Sequence, residues 1–277
     1  MGTAAESSST EHLTTGWEPD LDPGDTLVRH YTFGLAASAV SPVRALGGRV
    51  LESAGVIASD LGRPAAVHNA AVLTRPPGAD GADGWDATLA TIEAFYVDGT
   101  GQVYLFSPFP TPDLRDRGWH REGHPPLLVR PPGAPLPAVP ADLTICEVTD
   151  RRGLTDFQRV VVDGFPFTDM QPFTPDAWLD ERVLHLPGHR LFVGYVDGVA
   201  VTCGWVFVQH GLGVLVLGVT LPDYRGRGYW SAMLRRRLDC VGDRPVASLL
   251  SDDSRPIAER HYGFLPVVRF TAWRWHR

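Results

Sequence analysis

The sequence predicts an α/β protein in two unequal parts, on three observations. An apolar run from Val214 to Val219 ends at Leu221-Pro222-Asp223, passes through Arg225-Gly226-Arg227-Gly228, and continues as a helix-like segment with Tyr229, Met233 and Leu238 near one face. Asp197-Gly198 stands between two further apolar runs, which is a hairpin signal. Residues 131–141 (PPGAPLPAVPA) hold five prolines, the composition of a semi-rigid linker and a domain boundary. The expected division is a disordered leader at 1–26, an α/β domain at 27–130, the linker at 131–141, and a mixed-sheet α/β domain at 142–277.

Composition narrows the function classes. A 277-residue chain with 44% hydrophobic and 21% charged residues is globular and long enough for one large or two ordinary domains. No run is apolar for the 18 residues a membrane helix needs, so no membrane partner is expected. Residues 1–26 lack the basic start and apolar stretch of a signal peptide, and a cytoplasmic location is expected. A net charge of −7 argues against binding to a nucleic-acid backbone. Every one of the 25 basic side chains is arginine, and this excludes a Walker A lysine, a Schiff-base lysine and a lysine nucleophile. Cys146, Cys203 and Cys240 are far apart with no CxxC, and read as reduced thiols.

In chain order, Ser41–Leu46 reads as a short helix closed by Gly47-Gly48, and Ala65–Leu73 as a strand holding His68 and Asn69 in core or turn roles. A Pro/Gly loop at 76–85 precedes an amphipathic helix from Asp86 to Tyr96, with Leu89, Ile92, Phe95 and Tyr96 inward. Val103–Phe106 is a strand, Asp113–Trp119 a short helix closed by Gly118, and Pro126–Arg130 the last strand before the linker. Beyond it, Leu143–Val148 is a strand, and Asp150 caps a helix with Leu154, Phe157, Val160 and Val161 on one stripe. A second helix near Pro175–Val183, three strands in a meander, and the organising strand follow. His120 with His124, and His185 with His189, are spaced four apart, but glycine and proline between or beside them break any helix, so no metal site is expected.

A strand that feeds a Gly/Arg turn opening a helix is an anion site. Its glycines admit close approach of a ligand, and the unpaired amides of the first turn point outward. The segment resembles the acyl-CoA loop of the GNAT N-acetyltransferase superfamily, with Arg225 and Gly228 in the motif places and Trp230 where that family has glycine or alanine. The order of elements from Leu143 to Trp275 is similar to GNAT order, and the first part looks faintly like a GNAT half without its cofactor turn. The resemblance implies acetyl-CoA or another acyl-CoA as co-substrate. The pantetheine arm would lie on Gly218, Val219 and Thr220, with the diphosphate on Arg225, Gly226, Arg227, Gly228, Tyr229, Trp230 and Ser231. A glycine inside a strand fits such a contact, since it marks a bulge or a close approach.

Acyl transfer to an amine needs a base and an acid. The resemblance implies a glutamate on the organising strand, which carries no carboxylate, and a tyrosine four residues before Gly263-Phe264, where Glu259 stands; with a shift of one to three residues Tyr262 takes that place and is the candidate acid. By analogy with the fold, substrate contacts fall to the loop holding Phe165, Asp169 and Phe173, as an aromatic wall with a carboxylate for a cation; the same side chains serve equally well to fill the contact between the two parts. Asp252 and Asp253 read as caps of the last helix. The resemblance implies an N-acyltransferase acting on a small-molecule amine as a monomer or homodimer. A CoA-binding or accessory protein without turnover, or a GNAT scaffold with other chemistry in a natural-product pathway, stays open.

Overall fold

The computed structural model describes residues 26–78, 84–133, 136 and 140–277. The expected leader, apart from Thr26, and parts of the 76–85 loop and of the 131–141 linker lie outside those residues.

The first element is helix α1 (Leu27–Ala45), where the sequence suggests only a short helix at its end. Gly34, Ser38, Ser41 and Pro42 interrupt its apolar periodicity, and each interruption has a local cause or a tolerated place. Gly34 is the exception, with a distant cause: a Cβ there would come within 2.8 Å of Val214 Cγ2, so glycine lets the helix settle on the later sheet. The Ser38 hydroxyl bonds back to Leu35 O at 2.7 Å, and Pro42 falls in the last turn. Thr26 caps the start by accepting from Arg29 N at 3.2 Å.

The chain continues through β1 (Arg49–Ser53), β2 (Val56–Asp60), β3 (Ala70–Leu73), α2 (Trp85–Tyr96), β4 (Gln102–Ser107), β5 (Trp119–Gly123) and β6 (Pro126–Arg130). After the linker come β7 (Thr144–Glu147), α3 (Arg151–Gly164), β8 (His189–Val196), β9 (Val199–Gln209), β10 (Leu212–Thr220), α4 (Tyr229–Val241), β11 (Val246–Leu249), α5 (Arg255–Tyr262), β12 (Leu265–Arg269) and β13 (Thr271–His276). The fold is the expected mixed α/β class.

Two sheets form, in the orders β1-β2-β3-β4-β13-β5 and β12-β6-β11-β10-β9-β8-β7. Each holds one parallel pair joined across a helix, β3 with β4 and β10 with β11. The sheets also exchange strands. β6 leaves the first part to sit between β11 and β12, and β13 returns to sit between β4 and β5. Segments 27–130 and 142–277 therefore do not divide the sheets between them. The core is shared too: Tyr31 and Val43 of α1 belong to one buried cluster with Phe157, Trp178, Trp205, Val214 and Phe270.

Two expected helices are shorter than the sequence suggests. Pro175–Val183 forms no α-helix; a 3-10 turn occupies Glu181–His185, and Asp176 upstream has φ 58°, outside helical space. Arg115–Arg117 is likewise a 3-10 turn, ended by Gly118 at φ 82°. The expected strand at Ala65–Leu73 splits into a 3-10 turn at Ala66–His68 and β3. Asn69 causes the break, accepting from Leu61 N at 2.9 Å and donating to Arg63 O at 2.7 Å. Helix α3 follows its pattern, with Asp150 accepting from Gly153 N at 2.8 Å and the expected stripe buried.

Candidate functional site

Strand β10 sets the geometry. It pairs with β9 along its length, but with β11 only at Gly213–Val246 and Val214–Ala247, after which the two strands part. Its register with β9 shifts between Val216 and Val219, and Leu217 takes φ 42°, so a bulge sits where a glycine inside a strand predicts one. Side chains serve the backbone groups around the parting. The Ser248 hydroxyl donates to Leu215 O at 3.3 Å, Leu249 N donates to the Tyr31 hydroxyl at 3.0 Å, and Trp230 Nε1 donates to Gly218 O at 3.3 Å.

Past Thr220 the chain makes a 3-10 turn at Pro222–Tyr224 and then an exposed bend, Arg225 to Gly228, that opens α4. Gly226 and Gly228 have φ 77° and 83°, which L-residues adopt only with strain. Gly228 caps α4 without a capping side chain, leaving first-turn amides for an anion. The arginines behave differently from the sequence expectation. Arg225 braces the bend, donating from Nε to Thr220 O at 3.1 Å and from Nη2 to Gly164 O at 3.2 Å. Arg227 lies over the Tyr224 ring at 5.3 Å and donates to Asp223 O at 3.3 Å, in an exposed position beside the bend.

Not every expected cofactor residue faces this bend. The Tyr229 ring is buried and its hydroxyl donates to Asp142 Oδ2 at 2.5 Å, so it anchors the linker side. Val219 packs against Gly164, and its carbonyl accepts from Thr202 Oγ1 at 2.9 Å; Thr220 Oγ1 in turn donates to Thr202 Oγ1 at 2.9 Å. Trp230 Nε1 bonds Gly218 O, and Trp230 and Ser231 stand in the first turn of α4 directly after the bend. The indole, out of register with the family pattern, lies over the strand carbonyl expected to meet the pantetheine arm.

Tyr262 reaches the site from α5. It is 1% exposed and its hydroxyl donates to Ser231 O, in the first turn of α4, at 2.7 Å. Burial pushes its pKa up, which keeps it protonated. Asp252 does not cap α5; it pairs with Arg269 at 2.9 Å, and at the helix start Ser251 Oγ accepts from Ser254 N at 3.2 Å.

The loop that carries the expected substrate residues contacts the first sheet. Asp169 Oδ2 accepts from Gln102 N, the first residue of β4, at 2.8 Å. Phe165 stacks on Phe167 at 5.1 Å, Phe167 meets the Tyr104 ring edge-on at 6.4 Å, and Phe173 is half-buried. Of the two readings of these aromatics, the contacts of Asp169, Phe165 and Phe167 match the one that fills the junction.

A second polar cluster lies beneath that junction. His68 packs between Trp178 and Trp205 with ring centroids at 5.4 and 5.2 Å. His189 Nδ1 accepts from Trp205 Nε1 at 3.0 Å, and its Nε2 lies 2.5 Å from Ser41 Oγ. An indole N–H only donates, so Nδ1 is the unprotonated nitrogen and Nε2 carries the proton toward Ser41. This imidazole therefore cannot take the serine's proton, and the pair is structural. A cleft of about 770 Å³ between α1 and the β9–β10 hairpin, lined by Phe33, Val40, Phe207 and Leu212, lies at the far end of β10 from the bend. Among the described residues no group of three or more His, Cys, Asp or Glu could hold a metal, and no helix is long and apolar enough to cross a membrane.

Solved structures share this architecture. A GCN5-related N-acetyltransferase from Kribbella flavida matches 87% of this chain and 95% of its own, with a TM-score of 0.58 and 19% identity. A GNAT-family protein from Novosphingobium aromaticivorans matches 85% and 97% at TM-score 0.54 and 18% identity. A conserved protein of unknown function from Staphylococcus epidermidis matches 84% and 95% at 0.57 and 14%. No sequence-family profile matches the chain, and no curated protein matches it. The chain has the GNAT fold. The likeness extends over both parts of the chain and is one of fold.

Two features escaped the sequence reading: the Tyr31 hydroxyl at Leu249, and Arg237 of α4, which is buried against the bulge. The second left a signal, an arginine in a stripe that otherwise holds Met233 and Val241.

Proposed function

We propose that the protein transfers an acyl group, acetyl in the simplest case, from an acyl-CoA thioester to a small-molecule amine by direct attack. The observation that carries this reading is the parting of β10 from β11 beside the uncapped start of α4. The residues fit the cofactor. The bend offers two left-handed glycines and free amides suited to a diphosphate, and Gly218 O is an acceptor suited to an amide of the arm.

Bound there, CoA would supply an activated thioester. The chain's own residues would hold it: amides from Gly226 to Ser231 at the diphosphate with Arg227 beside them, and β10 along the arm. No side chain of β10 is a carboxylate, so the amine arrives neutral or loses its proton to water. Tyr262 would return a proton once its bond to Ser231 O is released.

One observation favours a second reading, a CoA-binding protein without turnover: the Trp230 indole already occupies Gly218 O. Thermal shift with acetyl-CoA, followed by thiol release over a panel of amines, separates the two. Ser231→Glu places a carboxylate in the first turn of α4, which suits the helix dipole and repels a diphosphate. It should abolish the CoA-induced shift while leaving the unliganded midpoint in place; a retained shift refutes the site.

A further inference from the structure

The side chain hardest to account for by packing is Arg237. On α4, Met233, Arg237 and Val241 recur at every fourth position and all are buried, so helix geometry asks for an apolar residue where the arginine stands. Arg237 is 2% exposed and its Nε has no hydrogen-bond partner. Burial pulls its pKa down to about 10 with only the Cys203 thiol opposing, and among the described residues no carboxylate acts on it. The guanidinium nevertheless keeps its proton at neutral pH.

Two strands make room for it. A Cβ on Gly204 of β9 would stand 2.7 Å from Arg237 Nε, and a Cβ on Gly218 of β10 would stand 2.5 Å from Nη2. The charge therefore rests on the bulge of β10, at the same residue whose carbonyl Trp230 covers from two turns earlier on α4. A buried cation without a counter-ion is costly, and apolar residues of similar volume usually serve stability better. What this place lacks is an anion, and a neutral acetyl group would not supply one.

Resting on the acyl-CoA reading above, we propose that Arg237 receives a carboxylate carried by the acyl group, so that the donor is the CoA half-thioester of a short dicarboxylic acid. With the arm on Gly218, the far end of such an acyl chain meets the guanidinium, whose planar fork pairs with a carboxylate through two parallel bonds. The transfer balances without that carboxylate reacting. The amine nitrogen bonds to the thioester carbon, the carbon–sulfur bond breaks, and the thiolate takes up the proton the amine gives up. The products are CoA thiol and an amide with a free carboxylate.

The test is a calorimetric binding panel of acetyl-CoA, malonyl-CoA and succinyl-CoA against the whole chain, repeated with Arg237→Met and Arg237→Gln. One of the two carboxylated thioesters should bind wild type about tenfold or more tightly than acetyl-CoA, the return on a charge-assisted pair. That preference should fall to about twofold or less in Arg237→Met, which should also unfold at a higher temperature without ligand. Equal affinity of wild type for all three thioesters overturns the carboxylate assignment alone, and this holds even if neither variant folds. A preference that survives in Arg237→Met overturns it as well. Absence of binding by any of them removes the acyl-CoA reading together with it.

Discussion

Acid should unfold this protein through two histidines before its carboxylates titrate. His68 and His189 are 1% and 6% exposed. Burial pushes the first down to about 4, and burial together with the nearby His68 pushes the second down to about 3, from an ordinary 6.5. Among the described residues the groups facing them are Trp178, Trp205, Phe207, the Ser41 hydroxyl and the Ala65 backbone, which opposes the effect of burial at His68 without carrying a negative charge. As pH falls through 6.5 the unfolded chain takes up two protons that the folded chain refuses, so stability is present above that value and is lost below it. Each histidine contributes a slope of ~1.4 kcal/mol per pH unit. Between neutrality and pH 5 the pair removes roughly 4 kcal/mol, against about 5–15 kcal/mol for a whole domain. Urea unfolding at a series of pH values, followed by tryptophan fluorescence, measures the slope. His189→Gln and His68→Gln each lower the starting stability, but each should also remove about half of the slope, which a lost contact would not. A wild-type stability that is flat between pH 7 and pH 5, or a slope untouched by both substitutions, would refute the reasoning.

Three further outcomes follow from single contacts. Arg277 and Asp60 form an ion pair with side chains 2% and 0% exposed, tying the end of β13 to β2; Arg277→Ala should cost about 3 kcal/mol in chemical unfolding, the low end for a buried pair because Arg49 stays on Asp60. Trp230→Ala uncovers Gly218 O and should tighten acyl-CoA binding severalfold by calorimetry; weaker binding would show that the indole helps hold the ligand. Tyr262→Phe should slow turnover about 10²-fold if its hydroxyl is the acid, and unchanged turnover would remove it from the chemistry.

What the sequence revealed was what its local patterns encode. The α3 stripe, the Asp150 cap, the Asp197-Gly198 hairpin and the strand–bend–helix at Gly228 each depend on residues within a few positions of one another. The strand exchange does not. PLLVR in β6 and TAWRWH in β13 read as strands, but nothing in either segment says which sheet will take it. Helix α1 was hidden because two of its breakers, Gly34 on Val214 and Ser41 on His189, are explained only by contacts far along the chain. At Gly218 the strand glycine suggested a bulge or a close approach, which the resemblance gave to the pantetheine arm; the group packed there is the Arg237 guanidinium. That arginine was hard to see in a run of three, Arg235 to Arg237, which looks like a solvated helix face.

The exchange bears on the site. β11 parts from β10 after Ala247 and is held on its other edge by β6, a strand from before the linker, with Leu249 opposite Leu127. The amide of Leu249 is taken by the Tyr31 hydroxyl of α1, and that ring sits edge-on to Phe270 at 5.7 Å. Each of these contacts draws the end of β11 toward the first part of the chain and away from β10. Closing the gap would cost Leu249 N its buried partner and would disturb the packing of Tyr31, which is 1% exposed. The opening on which a thioester would rest is thus kept by residues 31 and 126–130. The N-terminal part holds the end of β11 through Tyr31 and β6, and its sequence carries no Gly/Arg bend of its own.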